Sequence, residues 1–204
     1  MIVYPKLRIK VMTCHLIDLW EDTYPPQSTE DTQMFLRNVL AQYTESSAET
    51  LTFAKSAFGK PYLNHFPQWQ FNISHSGKKR LIAVSHHVPV GIDIELIKER
   101  RAISSLVTRC FAPSEQVYWL SLPKDQQLRA FYHFWTRKEA VVKGIGRGIA
   151  LGLNNCIIDT QNPDIFLHLP VDEIWHTVAI NIAPEYTVAI ASPYQYVKVC
   201  LKNL

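Results

Sequence analysis

The sequence of 204 residues has few cysteines and no long hydrophobic run. Its cysteines, Cys14, Cys110, Cys156 and Cys200, are far apart and form no CxxC pair, so neither a zinc site nor a disulfide framework is indicated. The start of the chain lacks the apolar core and cleavage site of a signal peptide, and no segment reaches the length of a membrane span. These absences predict a soluble cytoplasmic protein without membrane attachment.

The sequence also lacks a strong excess of either charge. A net charge of +3 suits a phosphate-bearing ligand or an acidic partner, but it is too small and too dispersed to indicate a nucleic-acid-binding surface. Hydrophobic residues make up 47% of the chain, which is enough for one sizeable domain or two small, tightly joined ones.

The hydrophobic patterns predict strands, then helices, then strands again. A regular alternation of strands and helices is absent, which favours the α+β class over a doubly wound sheet. The predicted strands cover residues 11–20, 71–76, 80–87, 88–96, 155–159, 165–169, 174–182 and 186–192, and the predicted helices cover 32–43, 103–111, 115–122 (capped by Ser114) and 125–146. A polar loop at 21–31, a turn at 58–63 and three neighbouring antiparallel strands between 71 and 96 complete this prediction.

The motif GIDIE, residues 91–95, places two acids in an otherwise apolar strand. Side chains alternate along a strand, so Asp93 and Glu95 point to one face with their backbones about 6.6 Å apart. Taken alone, the pattern favours a half-exposed strand with solvated acids. With further oxygen ligands, the two carboxylates suit Mg²⁺ and a phosphate-bearing substrate, and Gly91 is expected to leave open space beside them.

The motif WTRKEAVVK, residues 135–143, places Glu139 and Lys143 one turn apart on the strongest predicted helix. Such a pair is usually a surface ion pair. The aromatic run at 131–135 indicates, however, that this helix packs against the core. If Glu139 approaches the acids of GIDIE, three carboxylates surround one cation and Lys143 can bind phosphate.

Two turns carry polar residues that suit an anion. In FNISHSG, residues 71–77, Ser74 and His75 can hold a phosphate; the alternative is a polar hairpin turn with solvated lysines, which is favoured for residues 78–80 taken singly. In FGKPYL, residues 58–63, Lys60 is displayed between Gly59 and Pro61, and this motif says little by itself.

In this order, FGKPYL, FNISHSG, GIDIE and WTRKEAVVK closely resemble the motifs of the 4′-phosphopantetheinyl transferase superfamily, in its single-chain Sfp-type branch. The trimeric branch of holo-acyl-carrier-protein synthases has much shorter chains. The resemblance implies a monomer of two pseudo-symmetric lobes, each a small antiparallel sheet packed on a long helix, with the active site between them. The lobes are expected at residues 1–96 and 97–204.

The resemblance also implies the reaction. A serine of an apo acyl, polyketide or peptidyl carrier protein attacks the β-phosphate of coenzyme A in a Mg²⁺-dependent step that releases 3′,5′-ADP. By the same resemblance, the Mg²⁺ carboxylates correspond to Asp93, Glu95 and Glu139, the catalytic pair to Glu139 (or a metal-bound water) and Lys143, and the coenzyme A contacts to Lys60, Pro61, Ser74, His75 and Lys143.

The sequence departs from the family pattern near its start. Residues 20–33 are short, acidic and proline-bearing, and Gln33 stands where the family has an arginine that helps to bind the 3′-phosphate. Arg37, Lys55 or the basic residues 78–80 are candidate substitutes. Lys78, Lys79, Arg137 and Lys138 are also candidates for steering an acidic carrier protein.

Two other function classes fit the same residues. A Mg²⁺-dependent phosphodiesterase or nuclease could use the acids to activate water. A non-catalytic binder of coenzyme A or of a carrier protein would explain the altered N-terminal region, but it has less need for three acids and a lysine.

Overall fold

The computed structural model describes residues 14–23 and 29–203. It has eleven strands, β1 (His15–Thr23), β2 (Phe53–Lys55), β3 (Pro61–Leu63), β4 (Trp69–Ser76), β5 (Lys79–His86), β6 (Gly91–Leu96), β7 (Ile157–Ile158), β8 (Phe166–His168), β9 (His176–Ala179), β10 (Tyr186–Ser192) and β11 (Val197–Lys202). Its four α-helices are α1 (Thr29–Ala41), α2 (Ile103–Cys110), α3 (Pro113–Ser121) and α4 (Lys124–Ile145). The predicted α+β class is confirmed.

Two sheets carry the fold. The first has the strand order β11-β1-β5-β4 and packs on α1, and the second has the order β6-β10-β9 and packs on α4. In one detail the first sheet differs from a purely antiparallel one, because β11 runs parallel to β1. Two-stranded sheets, β2-β3 and β7-β8, lie beside these.

The two sheets face each other across a shared core. Alternate residues of β1 and β5 pack there against alternate residues of β6 and β10 and against Val90, which precedes β6. The buried members are Ile17, Leu19, Leu81, Ala83, Val90, Ile92, Ile94, Val188 and Ile190. Since the side chains of a strand alternate, the opposite face of β6 carries Asp93 and turns toward α4. The core therefore fixes the direction in which the acids point.

The chain passes from one of the two main sheets to the other twice. Strand β6 pairs with β10, although it precedes the helices in sequence, and β11 returns to pair with β1. The predicted boundary after residue 96 stays a prediction. Of the three strands predicted between 71 and 96, β4 and β5 do form an antiparallel pair, whereas β6 joins the other sheet.

Several local predictions differ from the structure. The predicted cap at Ser114 is wrong, because α3 begins at Pro113 and the Glu115 carboxylate accepts the N–H of Ala112. The predicted turn at 58–63 contains strand β3, and β11 was not predicted. The part of the predicted first strand at 11–13 lies outside the described residues, as does the part of the predicted loop at 24–28. No helix in the described ranges combines the length and apolar character needed to cross a membrane.

Candidate active site

Side chains of strand β4, rather than its backbone, form hydrogen bonds with the backbone at the edge of strand β6. Because side chains alternate along a strand, the polar residues two apart in FNISHS all face this edge. Three N–H groups of β6 donate hydrogen bonds of 2.9, 3.3 and 3.0 Å, from Ile92 to Asn72 Oδ1, from Ile94 to Ser74 Oγ and from Leu96 to Ser76 Oγ. These bonds fix the register of the motif FNISHS against the motif GIDIE.

Asp93 is the buried centre of the site, with 4% of its surface exposed. Its Oδ1 accepts hydrogen bonds from Ser74 Oγ at 2.9 Å and from Lys143 Nζ at 2.5 Å, and Lys143 Nζ also donates to Ser74 Oγ at 2.9 Å. The pKa of Asp93 is raised to about 7, mainly by burial; Lys143 lowers this pKa, and the negative charges of Glu139 and Glu95 contribute to the rise. Its second oxygen, Oδ2, is buried and has no hydrogen-bond partner within residues 14–23 and 29–203.

Asp93, Glu95 and Glu139 line one cavity, and the volume of this cavity is about 410 Å³. Glu95 Oε2 accepts hydrogen bonds from Ser76 Oγ at 3.1 Å and from Arg100 at 3.4 Å. Burial raises the pKa of Glu139, and the negative charge of Glu95 raises it further. The three carboxylates, two from a strand and one from a helix, thus line one cavity, and Lys143 makes its ion pair with Asp93. Their predicted grouping around a cation stays a prediction.

A larger cavity of about 510 Å³ adjoins the first. Both cavities are lined by Ile73, Glu139 and Lys143, so the acids stand at one end of a continuous cleft. Lys60 and Pro61 line the larger cavity. The ammonium of Lys60 donates to the carbonyl oxygens of Gly144 at 2.7 Å and Val90 at 3.2 Å, and burial lowers its pKa to about 8.

The two residues predicted from FNISHS have different surroundings. Ser74 is buried and its hydroxyl contacts both Asp93 and Lys143, whereas His75 is exposed; both line the smaller cavity. Their contact with a phosphate stays a prediction. The open space expected beside Gly91 is wrong, because a Cβ there would lie 1.9 Å from the carbonyl oxygen of Ala140. Gly91 instead lets helix α4 approach β6.

Most of the basic residues considered as substitutes already have internal partners. Lys79 pairs with Glu21 and Arg80 with Asp22, so the acidic segment neutralises part of the cluster at 78–80. Arg37 donates to two backbone carbonyl oxygens, at 2.6 and 3.0 Å. Among the described residues that line the larger cavity, Arg109 is a further cation that the sequence did not single out.

A buried ion pair next to the site was missed from the sequence. Lys138 and Glu115 are both 0% exposed and lie 2.7 Å apart, so Lys138 cannot steer a carrier protein as predicted. Lys138 also donates to the carbonyl oxygens of Leu153 and Cys156, and Glu115 accepts the N–H of Ile158. Helical spacing from the aromatic residues at 131 and 134 could have placed Lys138 on the apolar face of α4.

The carboxylates fit a divalent cation chemically, because hard oxygen donors suit Mg²⁺ and the unpartnered Oδ2 of Asp93 is one such donor. Glu95 and Glu139 line the same cavity. Within residues 14–23 and 29–203, however, no three acid, histidine or cysteine side chains already stand close enough together to hold a metal ion.

Two family models match the chain. The 4′-phosphopantetheinyl transferase superfamily model matches residues 89–191, and the model of the 4′-phosphopantetheinyl transferase N-terminal region matches residues 28–87. The superfamily match includes GIDIE and WTRKEAVVK, and the N-terminal match includes FGKPYL and FNISHSG.

Curated relatives of the chain are named 4′-phosphopantetheinyl transferases. The 4′-phosphopantetheinyl transferase psf-1 of Bacillus pumilus is 32% identical over 162 residues, which are 78% of this chain and 68% of psf-1. The transferase Sfp of Bacillus subtilis strain 168 is 28% identical over 163 residues, which are 79% of this chain and 71% of Sfp. These matches confirm the Sfp-type branch.

Other matches cover less. A further 4′-phosphopantetheinyl transferase of Bacillus subtilis is 35% identical over 122 residues, and the chain spans only 53% of its length. The solved holo-(acyl-carrier-protein) synthase of Bacillus anthracis, in complex with CoA (3′,5′-ADP), has 20% identity and a TM-score of 0.44, and the match covers 52% of this chain and 95% of that one. On the family models and on psf-1, the chain belongs to the 4′-phosphopantetheinyl transferase superfamily.

Proposed function

We propose that this protein transfers the 4′-phosphopantetheine group of coenzyme A to a serine of an apo acyl or peptidyl carrier protein. One observation carries the proposal. The carboxylates of Asp93, Glu95 and Glu139 line one cavity with the ammonium of Lys143, and Glu139 and Lys143 also line the larger cavity beside it. A cleft of this kind offers an apolar volume for the nucleotide and a charged end for its phosphates.

In the proposed reaction, the carrier serine Oγ forms a bond to the β-phosphorus of coenzyme A. The bond from that phosphorus to the oxygen shared with the α-phosphate breaks, and 3′,5′-ADP leaves. Glu139 takes the proton of the serine hydroxyl, a role that suits a carboxylate whose pKa is raised by burial. Lys143 donates a hydrogen bond to the leaving phosphate oxygen and offsets the charge that develops there.

Asp93, Glu139 and Glu95 would hold Mg²⁺. When bound, Mg²⁺ would offset the negative charge of the pyrophosphate group. Ser74 keeps Lys143 and Asp93 aligned, because its hydroxyl contacts both of them. Lys60 and Pro61 bind the nucleotide end, and the carbonyl oxygens of Val90 and Gly144 hold the ammonium of Lys60 in position at the cavity wall.

The test is incubation with Mg²⁺, coenzyme A and a panel of apo carrier proteins, followed by intact mass measurement of each carrier. We expect at least one carrier protein to gain the mass of one phosphopantetheine group. With the variant Glu139→Gln, which keeps the shape of the side chain, we expect no such gain in mass. Release of 3′,5′-ADP without any carrier modification would instead indicate the phosphodiesterase. A rise in melting temperature with coenzyme A but no transfer to any carrier would indicate the non-catalytic binder.

A further inference from the structure

A third cavity lies outside the proposed transferase site. Its volume is about 410 Å³, and it lies between helix α4 and the connection from β9 to β10. We call it the hairpin pocket; its polar lining residues are Arg129 and His133 from α4, Asn181 from the connection and Thr187 from β10. None of its described lining residues also lines the two cavities of the site.

Thr187 supplies a buried polar group to this pocket. The residue is 2% exposed, and its hydroxyl oxygen has no hydrogen-bond partner among the described residues. A buried hydroxyl without a partner is costly, so such a group calls for an explanation. Two other buried oxygen atoms that lack a partner among the described residues have an explanation. Asp93 Oδ2 belongs to the proposed site, and Asp18 Oδ1 lies 3.8 Å from the ammonium of Lys202. Neither explanation applies to Thr187.

Arg129 is held in place at the pocket. Arg129 is exposed, and one of its terminal nitrogens donates to the carbonyl oxygen of Pro184 at 2.7 Å, which holds the guanidinium beside the connection from β9 to β10. A guanidinium has five N–H donors, so others remain for a ligand. Fixing the side chain in advance reduces the entropy lost on binding.

The charges around the pocket favour an anion. The pKa of His133 is lowered to about 4, mainly by burial and also by the positive charges of Arg137 and Arg129. Arg137 is itself paired with Asp164 at 2.9 Å. Tyr186 and Thr187 of β10 are also among the residues that line the pocket, and no Asp or Glu is among its described lining residues. Neutral His133 can donate from one ring nitrogen, as can the amide of the Asn181 side chain.

We propose that the hairpin pocket binds a small oxyanion, a phosphate or carboxylate group, between the Arg129 guanidinium and the Thr187 hydroxyl. Arg129 supplies the charge and planar donors that match an oxyanion. Thr187 supplies a hydrogen bond at the buried end and selects a ligand small enough to reach it. This site goes beyond the proposed transfer reaction and does not depend on it.

The test is a titration of the whole protein at pH 7 with inorganic phosphate, followed by NMR of the His133 ring. The His133 signals are identified by their loss in His133→Gln. We expect a saturable shift of these signals, which Arg129→Gln weakens at least about tenfold and Thr187→Val about three- to tenfold. Lys124→Gln removes an exposed cation from the start of the same helix and is the matched control, expected to leave the affinity unchanged. Thr187→Ser restores the hydroxyl and should restore binding.

Parallel titrations with acetate and with sodium chloride at equal ionic strength distinguish a phosphate ligand, a carboxylate ligand and a general effect of ionic strength. A stronger response to acetate than to phosphate would identify a carboxylate ligand and still support the site. No saturable shift up to roughly 50 mM phosphate, or an equal shift with chloride, would overturn the proposal. It would also be overturned if Thr187→Val bound as well as the parent, because the hydroxyl would then have no part in binding. Glu139→Gln should keep the phosphate response, which separates this test from that of the transferase.

Discussion

Lys143 Nζ lies 2.5 Å from Asp93 Oδ1, and this contact joins helix α4 to strand β6. The two side chains differ in exposure, at 31% for Lys143 and 6% for Asp93. The ammonium therefore stands between a buried carboxylate and the open cleft. It can offset the charge of Asp93 and donate to Ser74 while it presents its third N–H donor to a phosphate group.

The substitution Asp93→Asn should separate function from stability. Asparagine has the same shape and can still accept a hydrogen bond from Ser74 or Lys143, but it is a neutral and much weaker metal ligand. We expect transfer to fall by at least about 100-fold, which is the scale of losing one preorganised electrostatic contact in an active site. The measurement is the rate at which carrier protein gains phosphopantetheine at saturating Mg²⁺.

The stability of Asp93→Asn provides the control for this result. Because burial of the charged carboxyl is unfavourable, we expect the free energy of unfolding to stay within about 1 kcal/mol of the parent or to rise. Near-parent transfer by a well-folded Asp93→Asn would contradict the role of Asp93 in the reaction.

Lys60 predicts a pH dependence of coenzyme A binding. Its pKa is lowered from 10.5 to about 8 by burial, so the folded protein loses this charge as the pH rises through 8. A neutral amine keeps two N–H donors for Val90 and Gly144 but attracts phosphate less. We therefore expect the KM for coenzyme A to rise by up to about tenfold between pH 7 and pH 9, the range over which most of the charge is lost.

The lowered pKa of Lys60 also affects stability, and here the free energy of unfolding increases as the pH rises. A base whose pKa is lowered by folding adds stability above its unfolded pKa, and this contribution disappears as the pH falls from 10.5 through 8. Lys60→Arg keeps its charge over the whole range and is the matched variant. An equally steep rise of KM in Lys60→Arg would assign the pH dependence to another group.

The sequence predicted the site better than it predicted the connections around the site. Alternation along GIDIE was enough to place Asp93 and Glu95 on one face, and helical spacing was enough to place Glu139 and Lys143 together. Both are local periodicities, and the backbone geometry enforces them. The α+β class followed from the same patterns.

Pairing between distant strands could not be predicted in this way. Strand β6 pairs with β10, about ninety residues later, and β11 pairs in parallel with β1. Nothing in the period of one strand identifies its neighbour. The role of Gly91 was misjudged for the same reason, because the atoms that fill the space beside it belong to α4, some fifty residues later.

Breaking the buried ion pair of Glu115 and Lys138 should destabilise the protein strongly. Lys138→Met leaves the Glu115 carboxylate buried without its cation, which we expect to cost about 3–5 kcal/mol. Adding Glu115→Gln should recover part of this loss, because the remaining group is then neutral. The measurement is urea unfolding of the parent, both single variants and the double variant.

The neighbouring residue offers a control for that cycle. Arg137 is buried, but its partner Asp164 has a side chain that is 48% exposed and can be hydrated when the arginine is removed. Arg137→Gln should therefore cost less than Lys138→Met, about 1–2 kcal/mol. If Lys138→Met cost as little as Arg137→Gln, the buried pair would not be what holds residues 153–158 against α4.

Gly91→Ala should disturb the contact between β6 and α4, and with it the site. The added Cβ would lie 1.9 Å from Ala140 O and 2.5 Å from Gly144 N, which are backbone atoms and cannot rotate away. We expect a loss of about 3 kcal/mol or more in the free energy of unfolding. Because the helix must move away from the strand, Lys143 should also separate from Asp93.

A displacement of about 1 Å in an active site can cost on the order of 100-fold in rate, so transfer per folded molecule should fall on this scale. The same substitution at Gly59 is the matched control for stability. In the described part of the chain, apart from the glycine and its two chain neighbours, no atom lies within 4 Å of a Cβ there, so the cost is limited to about 1–2 kcal/mol of strain at φ +88°. Urea unfolding of both variants provides the comparison. If Gly91→Ala were no more costly than Gly59→Ala, the close approach of β6 and α4 would not require a glycine, and the Lys143–Asp93 contact would have to be explained without it.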